Sequence, residues 1–501
     1  MSAPLSATPP RVSTFGKSAA SGAAWLGSAQ VVRLGLTILS TAIIARVLTP
    51  DDYGVVAMVG PILALIAMFQ DLGLGAAAIQ ADTISRQQSN SLFWLNMLAS
   101  TCLALFLVVL APAIGWFYGD GRAGYVAATL AIGLVISGSG LQHSALLNRE
   151  LRFAWLGLID ITTLIVTYGV SITMAIQLRS YWALVIGTLA GSLIQNLLYW
   201  RASPFRPARP SLRGIGDMAR FGVHLTGFSL LNFFVRNLDD VLVARFAGAR
   251  ATGLYDRSYR LMMMPLQSIN GPINRILQPI LARLREEPER YRRIYTFAMR
   301  GTMLAITPGV AVTALLSERL MPWLLGGHWK DAGPIFFWLG LTGLIQPVAN
   351  LTGLLYITTG RGAAMVRWGV FSAIVTIAAF AIGIQWGAVG IAKALFLSAV
   401  VRIPFLFHYG ASDTPVSVTD MYGAQIEPLI GACAVAFLFR EYGDNLAFFP
   451  MLATAMALAY PAAFLTSCLT RAGRGATLEL ARFVISHGSS ALARRWKDLI
   501  Q

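Results

Sequence analysis

Residues 87–119 read QQSNSLFWLNMLASTCLALFLVVLAPAIGWFYG, and no charged side chain interrupts them. About 20 apolar residues carry a helix across roughly 30 Å of hydrocarbon, so this run is long enough to cross a bilayer. A transmembrane barrel strand would alternate apolar and polar positions over about ten residues, and this stretch does not alternate. The same freedom from charge recurs over 123–148, 180–200, 332–360, 368–392 and 445–470. Together these runs predict an all-α polytopic membrane protein.

Composition points the same way. The 501 residues are 56% hydrophobic and 12% charged, against about 25% charged in a soluble domain; the mean hydropathy is +0.63. A net charge of +16 would suit nucleic acid, but the basic residues sit in short loops flanking apolar runs. Their partner is therefore expected to be the membrane and not nucleic acid. Cys102, Cys433 and Cys468 fall in apolar runs without motif spacing and read as small packing residues. His143, His224, His328, His408 and His487 are scattered, so no metal site and no cofactor is expected. Gly16-Lys17-Ser18 lacks the upstream glycine and strand of a phosphate-binding loop. Asn350-Leu351-Thr352 matches a glycosylation acceptor but lies inside an apolar run.

Polar breaks divide the chain into about fourteen membrane helices, near 24–45, 54–75, 92–117, 123–141, 155–178, 182–200, 221–246, 259–281, 294–316, 334–357, 368–385, 388–407, 425–439 and 446–469. The organisation expected is a cytoplasmic tail (1–20), a six-helix half (21–205), a cytoplasmic linker (206–220), a second six-helix half (221–410), a terminal hairpin (420–470) and a basic tail (471–501). With both termini inside, 24 of the 39 Lys and Arg residues lie in inner loops, eight in outer loops and seven within the membrane. That asymmetry satisfies the positive-inside rule and predicts cytoplasmic termini. Ile44-Ala45-Arg46 precedes Gly54 as Val243-Ala244-Arg245 precedes Gly253, at an offset of 199 residues. Two pseudo-symmetric halves in a transporter would produce such a repeat. The longest outer loop, 317–333, leaves no room for a soluble catalytic domain.

The charges inside the membrane nominate a site, because each costs about 2.5–3.5 kcal/mol at a helix centre and usually faces a cavity or a partner. Helix one carries a stripe of Gln30, Arg33, Thr37, Ser40 and Thr41 at three- and four-residue steps. Helix seven carries Asn232, Arg236, Asp239 and Asp240, where Arg236 can pair with either aspartate. Helix eight carries Arg257, Arg260, Gln267, Asn270, Asn274 and Arg275, with Pro265, Pro272 and Pro279 expected to kink it. Arg257 and Arg260 alternatively snorkel to an interface, and Arg402 is expected at the cytoplasmic surface. Lys393 joins the basic set. Arginine's planar fork matches phosphate oxygens, so Arg33, Arg236, Arg257, Arg260, Arg275 and Lys393 are the candidate anion-binding residues. Gln30, Thr37, Asn232, Gln267, Asn270 and Asn274 would line the path, and Asp71, Asp160, Asp239 and Asp240 are candidates for coupling.

The segments ARVLTPDDYG (45–54), NRELRF (148–153), NLDDVLVAR (237–245) and YDRSYRLMM (255–263) together resemble bacterial polysaccharide transporters. These are the Wzx-type lipid-linked oligosaccharide flippases of the multidrug/oligosaccharidyl-lipid/polysaccharide superfamily, and the resemblance covers roughly residues 20–410. It implies a non-enzymatic transporter of the bacterial inner membrane. Such a protein would move undecaprenyl-pyrophosphate-linked repeat units to the periplasmic leaflet for exopolysaccharide, capsule or O-antigen assembly. Its substrate would be a lipid-linked oligosaccharide, and a polymerase and glycosyltransferases of the same pathway would be its partners. A drug–cation antiporter of the same architecture would favour acids over the basic set seen here. A membrane-embedded polymerase or ligase would need the large outer loop that is missing.

Overall fold

A computed structural model describes residues 15–71, 85–209, 216–443, 446–470, 473–475 and 477–479, with the side chains of 15–29, 31, 71, 216–232 and 234–236 excluded. Helices α1 (Phe15–Val47), α2 (Pro50–Asp71), α3 (Arg86–Tyr118), α4 (Gly121–Arg149), α5 (Phe153–Leu178) and α6 (Trp182–Ala202) come first. Then follow α7 (Gly216–Arg283), α8 (Pro288–Leu315), α9 (Ser317–Leu325), α10 (Ala332–Gly343), α11 (Gln346–Thr358), α12 (Gly362–Gly383), α13 (Gly387–Ala411), α14 (Val418–Tyr442) and α15 (Phe448–Ser467). Among the described residues, ten spans are long and apolar enough to cross a membrane.

Local chemistry sets the ends. Ser85 and Gln88 form a reciprocal capping box at the start of α3, and Gly119 closes it at φ 69°, where a Cβ would be unfavourable. Asp120 then caps α4. Side chains such as Val109 (79% exposed), Trp116 and Ile374 face outward as a lipid surface would require. Small and branched residues of α2, α3, α4 and α6, among them Val55, Leu107, Ala127 and Val185, form a buried core.

Several expectations need correction. Residues 247–258, read as an outer loop, are helical: α7 runs for 68 residues, and the only non-helical backbone inside it is Gly248 at φ 79°, ψ −179°. Glycine alone reaches that region readily, so one residue does the turning that a loop was expected to do. Pro265, Pro272 and Pro279 leave the helical dihedrals of α7 intact. The single helix expected over 334–357 is divided between α10 and α11. Pro347 stands at the start of α11, and its missing N–H would otherwise have to continue the ladder. The outer loop 317–333 itself holds α9 and a 3₁₀ turn at Gly327–Trp329. Helix also reaches into the proposed N-terminal tail and linker, at Phe15 and Gly216; most of 1–20 and 471–501, and residues 72–75 of the second predicted helix, lie outside the described residues.

At one end of the bundle, the α1–α2 corner is pressed against α7 and the segment around α9. A Cβ on Gly54 would lie 1.7 Å from the Ala249 carbonyl oxygen, and one on Gly253 would lie 1.9 Å from that of Pro50. The two glycines marked by the sequence repeat therefore let the two backbones touch. Alongside them, the Trp329 indole donates to the Ala45 carbonyl at 2.8 Å, the Trp329 and Tyr53 rings meet edge-on at 5.3 Å, and Arg46 donates to the Trp323 carbonyl. Ile44, Ala45, Leu48, Met321, Leu325 and Leu339 fill the space between as one buried cluster.

Candidate functional site

Just beyond the Gly248 turn, helical spacing gathers Asp256, Arg257 and Arg260. One oxygen of the buried Asp256 carboxylate accepts from Arg257 at 2.7 and 3.0 Å, and the other accepts from the Arg260 Nε at 2.7 Å. The Arg257 guanidinium also lies over the Tyr53 ring, 4.6 Å from its centroid. Tyr53 belongs to α2, so this charge cluster sits where α2 meets α7. Arg257 is largely engaged, with 18% of its side chain exposed, whereas Arg260 is 57% exposed. The Arg260 fork is anchored at Nε and more than half exposed, with Asp240 close enough for their charges to interact. Nearby, the Tyr255 hydroxyl donates to the buried Asp239 carboxylate at 2.8 Å, joining the arms of α7 on either side of Gly248.

The polar positions of α1 differ in exposure. Gln30 and Arg33 are exposed, Thr37 is half-buried, and Ser40 and Thr41 are buried. The Gln30 amide donates to the Ser268 hydroxyl of α7 at 3.3 Å. Thr37 donates to its own helix at the Arg33 carbonyl. Arg33 lies close enough to Asp160 of α5 for their charges to interact.

The remaining cations do not converge on one point. Arg275 is exposed, and its 15-residue separation from Arg260 corresponds to about 22 Å of helix. Lys393 is exposed on α13, where its ammonium lies 5.4 Å from the centroid of the Trp338 ring. The described cations are therefore spread apart and do not form a single clamp. The side chains of Asn232, Arg236 and Asp71 lie outside the described residues.

Sequence reasoning missed a second enclosure. Gln267 and Asn270 line a cavity of about 510 Å³ bounded by α7, α10, α11, α12 and α13, together with Gln346, Asn350, Trp368 and Arg402. Arg402, expected at the surface, faces this space; its Nε donates to the Ser398 carbonyl at 3.0 Å, and Ser372 accepts another of its hydrogen bonds. The Oδ1 atoms of Asn270 and Asn274 are buried without a hydrogen-bond partner. The clue in the sequence was the set of amides on helix eight, but their partners arrive from segments more than 70 residues away.

An all-helical, multi-pass bundle with cations at the junction of its helices is the class of protein these features define. The fold is similar to that of the lipid II flippase MurJ in an inward closed conformation, with a TM-score of 0.70 at 11% identity, covering 89% of this chain and 98% of that one. The profile of the family described as "Polysaccharide biosynthesis protein" matches residues 43–334, more than half of the chain, and the protein belongs to that family. It is 27% identical over 392 residues to the lipopolysaccharide biosynthesis protein WzxC of Escherichia coli (strain K12), covering 76% of this chain and 78% of that one. It is 23% identical over 434 residues to the succinoglycan biosynthesis transport protein ExoT of Rhizobium meliloti (strain 1021), covering 84% and 86%.

Proposed function

We propose that this protein flips undecaprenyl-pyrophosphate-linked oligosaccharide repeat units from the cytoplasmic to the periplasmic leaflet by alternating access. The observation that carries the reading is the exposed Arg260 fork, held on buried Asp256 at the contact between α2 and α7. A cation fixed this way can take a phosphate oxygen and release it without moving its own anchor. Arg33 and Arg275 would extend the cationic path from Arg260 away from the α1–α2 corner, since Gln30 of α1 meets Ser268, between Arg260 and Arg275 on α7. The lipid tail would remain in the bilayer while the charged head passes between the helices.

Fourteen spans in two six-helix halves plus a hairpin suit this mechanism. Gly248 divides α7 into two arms, each long enough to cross the membrane, and α10 with α11 would make one broken span. The Gly54–Gly253 contact supports a pseudo-two-fold relation between the halves. By the positive-inside distribution of the loops the termini are cytoplasmic, which makes the packed α1–α2 corner the periplasmic side and the path open to the cytoplasm. An anionic head moving outward travels with a field worth about 2.3 kcal/mol per charge per 100 mV. Proton coupling through Asp71, Asp160, Asp239 or Asp240 is a separable part of the proposal, and transport indifferent to a pH gradient would remove it.

The test is accumulation of cytoplasm-facing lipid-linked repeat units in a strain lacking the gene. Re-expression of the native protein should clear them. Arg33→Ala, Arg236→Ala and Arg260→Ala should each slow clearance by about tenfold, the worth of one charge-assisted hydrogen bond. Undiminished flipping in all three would discard the cationic path.

A further inference from the structure

The enclosure around Arg402 carries a charge that nothing in it balances. Among the described residues, the guanidinium pairs with no carboxylate; it is held by the Ser398 carbonyl, the Ser398 hydroxyl and the Ser372 hydroxyl, all neutral. These contacts leave N–H donors of its fork unused. Arg402 lies nine residues before the end of α13 at Ala411, about 13–14 Å along the helix, and its neighbours Val401 and Phe405 are exposed and apolar. A half-buried cation at such a position is costly unless an anion is available to it.

A second observation points to the same place. Asn270 is 7% exposed and lines the cavity, yet its Oδ1 accepts no hydrogen bond. A buried acceptor left unmet is expensive, so an incoming donor is needed as well as an anion. The rest of the wall supplies more amides, from Gln267, Gln346 and Asn350, and the Trp368 ring. Hydroxyl donors, an anionic group and a ring face are combined in one kind of ligand, an acidic sugar. The volume of about 510 Å³ falls within the roughly 300–1,000 Å³ of small-molecule sites.

We propose that this cavity is a subsite for an acidic sugar residue of the glycan head, with Arg402 taking its carboxylate and Asn270 accepting from a ring hydroxyl. The proposal rests on the reading of the protein as a carrier of lipid-linked glycans, and adds to it a selective step separate from the pyrophosphate path.

The full-length protein in nanodiscs of phosphatidylcholine can be tested by saturation-transfer NMR with cellobiuronic acid and its neutral counterpart cellobiose. The acidic disaccharide should bind at least about tenfold more tightly than the neutral one. Arg402→Gln should abolish that preference, Arg402→Lys should keep most of it, and Asn270→Ala should weaken binding of both sugars. Equal binding of the two sugars, or a preference that survives Arg402→Gln in a variant that still melts cooperatively, overturns the proposal. If phosphatidylglycerol added to the nanodisc displaces the acid, Arg402 serves a lipid headgroup and the proposal also fails. A protein that binds the acidic sugar but does not clear repeat units in cells would contradict the flippase reading alone.

Discussion

Arg122 shows what a single side chain can hold. It bridges Asp51 at the start of α2, at 2.6 Å, and Asp120 in the α3–α4 turn, at 2.7 Å. The Arg122 hydrogen bond holds the Asp120 carboxyl below its ordinary value of 3.8, against the opposing pull of its burial. A carboxylate with a depressed pKa stabilises the fold fully above that ordinary value, and the contribution is lost as the pH falls below it. Asp120→Asn should therefore flatten the dependence of melting temperature on pH between about pH 5 and pH 3, as read by tryptophan fluorescence. The pairing of Asp256 with Arg260 was not anticipated: the two stand one helical turn apart, but Asp256 falls in the stretch read as an outer loop. Arg300 was counted as an inner-loop charge, yet it is 4% exposed and bonded at 2.6 Å to Glu427, 127 positions later, and no local pattern announces such a partner. Glu427→Gln should destabilise the protein by about 3–5 kcal/mol, the cost of leaving a buried charge alone, measured as earlier unfolding in detergent.

At the scale of helices, apolar length predicted existence well and boundaries poorly. The runs over 87–119, 123–148 and 180–200 became α3, α4 and α6 with modest extension. The turn between α7's two arms was misjudged because charge suggested a loop, whereas Asp256 pairs with both Arg257 and Arg260 within a helix. The glycine contact between α2 and α7 tests the packing directly. Gly253→Val would drive side-chain atoms into the Pro50 carbonyl, already only 1.9 Å from the position of a Cβ. In a background with Cys102, Cys433 and Cys468 replaced, a cysteine at position 44, where Ile44 is 2% exposed, should be shielded from maleimide. Adding Gly253→Val should expose it, and continued shielding would show that the two backbones part elsewhere.

For the molecule as a whole, the sequence reading reached the class and the family without reaching the layout of the site. Hydropathy and loop charge are one-dimensional properties, and they survive folding intact. Which cation faces which cavity depends on helix rotation and on which helices become neighbours, so Lys393 appears beside Trp338 and Arg402 within a cavity wall. The Gly54–Gly253 pair stands between these cases. Its repeat was visible as a spacing of 199 residues, but only folding brings the repeated positions into contact.

The last helical pair is more firmly attached than a sequence with no distinctive motif there would suggest. The Glu427 carboxylate, besides holding Arg300 of α8, accepts from the Thr470 hydroxyl just past α15, and Glu479 reaches back to Arg293 at 2.8 Å. Anyone fusing a reporter or trimming the chain for crystallisation should therefore cut beyond position 479. A truncation at the apparent end of the final helix would remove the fastening that keeps that pair docked, and the resulting loss of expression could be mistaken for loss of transport.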